Sequence, residues 1–229
     1  MKIRKSVAWV LVNTIGWGVS WMLAILAAPS ILNAITASAG EVKYTTSIHL
    51  FLPAIIPAVI IASSQIAFLR MKLSQGLVWL LATAGGLAVG LPIAAIAMIM
   101  AFAMGVVPRQ FPTFVGNLLT YAVVFVGGGI GGIVSGPIMW AAFNRRFFWR
   151  WFLGSILAWS GAMGVMISAI PTIQYRSSIF VKGSLLLAFF SFLERIPIHF
   201  SATLIGAFSG AIYGVMLLLP LYLVFQEDE

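Results

Sequence analysis

Charge is absent from six long stretches of the chain: residues 6–40, 44–69, 73–108, 110–144, 151–175 and 196–226. A helix needs about 20 consecutive apolar residues to cross the hydrocarbon core of a bilayer, and each stretch exceeds that. A segment in lipid must satisfy its own backbone polar groups, which leaves helices or closed β-barrels. Barrel strands alternate polar and apolar side chains, and runs such as Leu91–Ala103 show no alternation. The expected fold is therefore an all-α integral membrane protein with six transmembrane helices, at roughly 6–28, 48–69, 77–104, 113–143, 151–171 and 199–225. Soluble domains carry about 25% charged residues; here 8% are charged and 62% hydrophobic, so residues 1–229 read as a single membrane domain.

The few charges set an orientation. Lys2, Arg4, Lys5, Arg70, Lys72, Arg145, Arg146 and Arg150 fall on the N-terminal side of the membrane. Lys43, Arg109, Arg176, Lys182 and Arg195 fall on the other, with Glu41 and Glu194. Positive residues accumulate on cytoplasmic loops, so the excess places the N-terminus, and after six spans the C-terminus, in the cytoplasm. The net charge of +8 has this origin, and nucleic acid is not an expected partner. Trp9, Trp79, Trp140, Trp149 and Trp151 are expected at the inner interface, as an aromatic belt. The apolar run Ser6–Ala28 is longer than a signal-peptide core of about 7–15 residues and reads as structure. Cysteine is absent, which excludes disulfides and thiolate metal sites.

An internal repeat organises the chain. Trp9-Val-Leu-Val-Asn13-Thr-Ile-Gly16-Trp17 aligns with Trp79-Leu-Leu-Ala-Thr83-Ala-Gly-Gly86-Leu87 and with Trp151-Phe-Leu-Gly-Ser155-Ile-Leu-Ala158-Trp159. The pattern is Trp, a small polar residue four later, a small residue seven later, then a bulky one. Ser63-Ser64-Gln65, Ser135-Gly136-Pro137 and Ser209-Gly210-Ala211 align in the intervening helices. The expectation is three repeated helical hairpins, about 6–70, 77–144 and 151–225, unlike the inverted repeats of many transporters. Outer loops are expected at about 29–47 and 172–198. The second contains Phe180–Leu193, which at 14 residues reads as a short interfacial helix before the last span. Read instead as a seventh span, it would put the C-terminus outside.

Helix association in lipid relies on small residues that let backbones approach. Ala54, Ala58 and Ala62, then Gly128, Gly132 and Gly136, then Gly206, Gly210 and Gly214 form stripes at four-residue spacing. Each stripe reads as a helix-packing groove; room for a flat cofactor is the sharper reading. Gly206-Ala-Phe-Ser209-Gly210 resembles the serine motif of rhomboid intramembrane proteases over about nine residues. That resemblance is rejected. Position 207 is alanine where that motif has glycine, and no histidine follows Ser209 to act as its base.

Intramembrane polar residues are expensive and mark packing ties or binding sites. Asn13, Thr83 and Ser155 read as interhelical ties. Gln65 and Asn117 are candidate ligand-binding residues within spans. His49 and His199, at outer helix ends, join them with Glu194, which with Arg195 would gate an outer pocket. The plainer reading of these three is interfacial histidine and solvated charge. No metal ligand set is assigned, and the cofactor, if any, is unknown.

No acid pair, Ser–His pair or phosphate loop is present, so an enzyme is not expected. The expected function is a non-catalytic membrane subunit or scaffold that packs with a membrane-protein partner or a second copy. The alternative is a small neutral-solute transporter or substrate-capture subunit. Size and span count are similar to the substrate-binding subunits of energy-coupling-factor vitamin transporters, which implies capture. The Trp-led repeat resembles multi-spanning membrane proteins of cyanobacteria and related bacteria over most of the chain. That resemblance implies a bacterial plasma membrane or thylakoid location and carries no activity.

Cysteines introduced at positions 2, 42 and 228 should react with impermeant reagent from the inside, outside and inside, respectively. Labelling of position 228 only from outside would establish the seventh span.

Overall fold

Four-residue and seven-residue spacings place the small and polar residues of each segment on one helix face and the leucines on the other. The computed structural model describes residues 3–39, 45–106, 113–142, 148–175, 192–193 and 195–225. Among them are six long helices: α1 (Ile3–Ala39), α2 (Thr45–Leu69), α3 (Leu73–Val106), α4 (Thr113–Ala142), α5 (Phe148–Tyr175) and α6 (Ile198–Phe225). No strand occurs among the described residues. Three stretches of them, Arg4–Ala27, Leu73–Ala94 and Ile198–Leu218, are long and apolar enough to cross a membrane.

Each helix packs on the next in sequence, and α6 returns to pack on α1, so the six close into a ring. Each helix turns one face to the interior of the ring, as α1 and α5 illustrate. Trp9, Asn13, Gly16, Trp17, Ser20 and Ala24 of α1 are buried, while Val7, Leu11, Ile15, Val19, Leu23 and Leu26 are exposed. In α5 Trp151, Ser155, Ala158, Trp159 and Met163 are buried, with Leu153 and Leu157 outside. Polar and small residues face inward and large aliphatic ones outward. Large contiguous apolar surface is unfavourable in water and suits lipid.

The expected aromatic belt is corrected by this arrangement. Trp9 and Trp79 are 0% exposed and Trp151 only 2%, whereas Trp149, at 68%, does face outward. An apolar indole with one donor is as suited to a helix interface with a free carbonyl as to a headgroup layer. The expected outer loop at 29–47 is also shorter. Ala and Leu are good helix formers, and residues 30–39, which hold Leu32 and three alanines, continue α1 to Ala39, with α2 opening at Thr45. Of the short helix expected at 180–193, Phe192 and Leu193 are helical; residues 180–191 lie outside the described residues.

The α2–α3 connection has a local explanation. Met71 N–H donates to Ile66 O at 3.2 Å and Arg70 N–H to Ala67 O at 3.3 Å, the paired bonds of a Schellman stop. Arg70 takes the left-handed position that motif needs, at φ 52°, although it is not glycine. Gln75 Oε1 then accepts from Lys72 N–H at 3.3 Å, capping the start of α3.

The glycine stripes are filled within the chain. A Cβ on Gly128 would lie 2.9 Å from Met163 Cβ, and one on Gly132 2.5 Å from Ile156 Cα, both in α5. Gly136 meets Ser155 of the same helix. A Cβ on Gly206 would lie 2.7 Å from the Trp17 carbonyl oxygen, and one on Gly210 would collide with the Asn13 carbonyl. Gly214 meets Val10 and Asn13. These six glycines are the seams α4–α5 and α6–α1, and they offer no spare groove to another chain.

Gly132→Ala and Gly210→Ala are expected to destabilise the protein by about 1–3 kcal/mol each through overpacking. Gly85→Ala meets only Val134 Cγ1 at 3.6 Å and should be neutral, or stabilising by up to about 1 kcal/mol through helix propensity. Thermal unfolding in mild detergent distinguishes the two groups.

Candidate functional site

Inside the ring the polar side chains divide into a bonded half and an unbonded half. The bonded half begins at Trp79 of α3, whose indole N–H donates to Gln65 Oε1 of α2 at 2.7 Å. Gln65 Nε2 donates to Asn13 Oδ1 of α1 at 2.6 Å. Asn13 Nδ2 donates to the Trp9 carbonyl one turn earlier at 2.9 Å. Trp9 Nε1 reaches the Gly214 carbonyl of α6 at 3.1 Å. Asn13, Gln65, Trp9 and Trp79 are all fully buried. Thr83 closes its own account by donating to the Trp79 carbonyl at 3.0 Å.

The second half stands beside it. Trp17 of α1, Trp159 of α5 and Tyr213 of α6 form a buried aromatic triangle with ring centroids 5.4, 5.7 and 6.0 Å apart. Tyr213 Oη donates to Met139 Sδ at 3.9 Å. The indole N–H groups of Trp17 and Trp159 have no hydrogen-bond partner among the described residues. The same holds for the hydroxyls of Ser135, Ser155 and Ser209, all buried. Trp21 and Trp140 share this state nearer the surface of the ring. Ser135 and Trp159 meet over Gly86: from the position of a Cβ there, Trp159 Cζ2 is 2.7 Å away and Ser135 Cβ 3.1 Å.

Among the expected ligand residues, Gln65 lies at the centre of the interior, and its amide is held at both ends by protein groups. His199 sits half-buried at the start of α6, its ring 4.5 Å from that of Phe200 and its carbonyl accepting from Thr203 Oγ1 at 2.7 Å. The side chains of His49 in α2 and Asn117 in α4, and the whole of Glu194, lie outside the described residues. Among the described residues no group of three or more His, Asp or Glu is close enough to hold a metal.

Trp17, Trp159 and Tyr213 were not among the residues expected to form a site. Their signal was present: Trp17 and Trp159 occupy the last position of the same aligned segment. What distinguishes them from packing aromatics is a buried indole N–H with no partner among the described residues, which only the fold reveals.

No family model, curated protein or solved structure matches this chain.

Gln65→Leu would leave the Trp79 N–H and Asn13 Oδ1 unpaired, at about 1–3 kcal/mol for each buried group. Thermal unfolding in mild detergent is expected to show a correspondingly large loss of stability, with Trp79→Phe, which orphans one acceptor, intermediate.

Proposed function

We propose that this chain is a non-catalytic, six-span protein of a bacterial plasma or thylakoid membrane that binds a small neutral solute inside its helix ring. Support for six spans comes from helix length. Even the shortest, α2, has 25 residues, and a rise of 1.5 Å per residue carries that past a core of about 30 Å. Support for three hairpins comes from the inward positions of the repeat: Trp9, Trp79 and Trp151 are buried, as are Asn13, Thr83 and Ser155. The charge bias of the loops favours both termini in the cytoplasm.

The solute reading rests on one observation, the buried set of polar groups on α1, α4, α5 and α6 that have no partner among the described residues. In lipid no water stands ready to satisfy them from outside. The charge-free stretches within the helices favour a neutral solute over an ion. No carboxylate lies within any of the six apolar stretches and the chain has no thiol, which favours binding over general-base or nucleophilic chemistry.

The second reading is a scaffold subunit that packs against a membrane protein or a second copy. With the glycine seams filled, its surface would be the exposed aliphatic stripe of α1 from Val7 to Leu26, which lipid covers equally well. Native mass spectrometry of protein extracted in mild detergent separates the two. The expected result is a retained small-molecule adduct that dissociates at low activation energy. A stoichiometric protein partner with no small-molecule adduct would overturn the solute reading in favour of the scaffold.

A further inference from the structure

We infer that the indole N–H groups of Trp17 and Trp159, with the hydroxyl of Ser135, form a site for one small neutral oxygen acceptor, supplied either by water or by a hydroxyl- or carbonyl-bearing solute. The ligand's polarity follows from the donors. An indole N–H donates and cannot accept, so two of them call for lone pairs. Both are fully buried and lack a partner among the described residues. Both rings pack on Tyr213, with centroids 5.4 and 5.7 Å away, which restricts their rotation. Trp159 is further held over Gly86 and Gly131. Ser135, meeting Trp159 at Gly86, adds a group that donates or accepts as needed.

The ligand's charge follows from what surrounds it. The aligned stretches around Trp17, Ser135 and Trp159 contain no ionisable acid or base, and an unpaired ion in such surroundings costs far more than a neutral dipole. Its size follows from the walls: Trp17, Trp159, Tyr213 and Met139 are all fully or almost fully buried against one another. Walls this close call for a ligand of few non-hydrogen atoms.

The solute arm of this inference rests on the proposed function; the water arm does not. Protein labelled with nitrogen-15 at the indole positions, reconstituted in nanodiscs, reports both. Signals are assigned with Trp17→Phe, Trp79→Phe and Trp159→Phe, and acetamide and glycerol are the probes. The expected result is a saturable shift of the Trp17 and Trp159 signals on adding either probe, with the Trp79 signal, already bonded to Gln65, unmoved. Ser135→Ala should weaken the apparent affinity about tenfold, the loss of one good hydrogen bond. Magnetisation transfer from water to the Trp17 and Trp159 protons without any probe shift would support the site as a water site and overturn the solute reading alone. Neither transfer nor shift at these two indoles would overturn the inference. Stability gives an independent sign: Ser135→Ala should lower the unfolding temperature if the hydroxyl is engaged, and raise it if the hydroxyl is buried with nothing to bond.

Discussion

The hydrogen-bond relay from Trp79 through Gln65 to Asn13 fixes which helices are neighbours and which way their polar groups face. Its direction is not arbitrary. An indole can only donate, so Trp79 forces the Gln65 oxygen toward α3 and its amide nitrogen toward α1. Asn13 must then accept with its oxygen and spend its own N–H on the Trp9 carbonyl. Trp9 in turn holds α6 through the Gly214 carbonyl. Four helices are thereby tied by donors and acceptors that match in one arrangement only. In a medium that offers no competing partners, such a matched set specifies register more sharply than apolar contact does.

The glycine seams and the relay depend on each other. Trp9 reaches Gly214 because α1 and α6 lie close, and they lie close because Gly206, Gly210 and Gly214 present no side chains to Trp17, Asn13 and Val10. The same economy operates between α4 and α5 through Gly128, Gly132 and Gly136. Close backbone approach increases dispersion contact where lipid tails give helices no solvophobic reason to associate. Many of the leucines, isoleucines and valines are turned outward, and the interior combines tryptophan, small residues and amides with a few aliphatic side chains such as Ile61, Leu87, Leu217 and Leu221.

The helical character of the chain was legible because lipid demands uninterrupted apolarity, and length plus absence of charge reports that directly. Helix ends were less legible. Hydropathy tells where a segment leaves the hydrocarbon, not where its hydrogen bonds stop, so α1 continues to Ala39 through residues expected to form a loop. The direction of the repeat tryptophans was misread for a related reason: belt statistics describe depth along the membrane normal, whereas burial depends on the azimuth of the side chain. For the glycines, spacing revealed a face but not its neighbour. Gly210 and Asn13 are far apart in sequence, and only closure of the ring brings them together. Gln65 was recognised as a residue that needs partners; that these are Asn13 and Trp79, rather than a ligand, follows from packing.

The aligned segments carry the same chemistry into unequal environments, and that inequality is what the proposed solute site draws on. At the position four after the leading tryptophan, Asn13 and Thr83 are hydrogen-bonded, while Ser155 has no partner among the described residues. A core selected only for stability would replace an unbonded buried hydroxyl with alanine, since an unpaired polar group costs about 1–3 kcal/mol and a methyl costs nothing. Three such hydroxyls and two indole donors persist together here. The bonded half shows that this chain satisfies buried polar groups where it needs only structure. The unbonded half retains donors on rigid aromatic supports, against helices held at fixed spacing by glycine seams, and that is the arrangement a preorganised binding site requires.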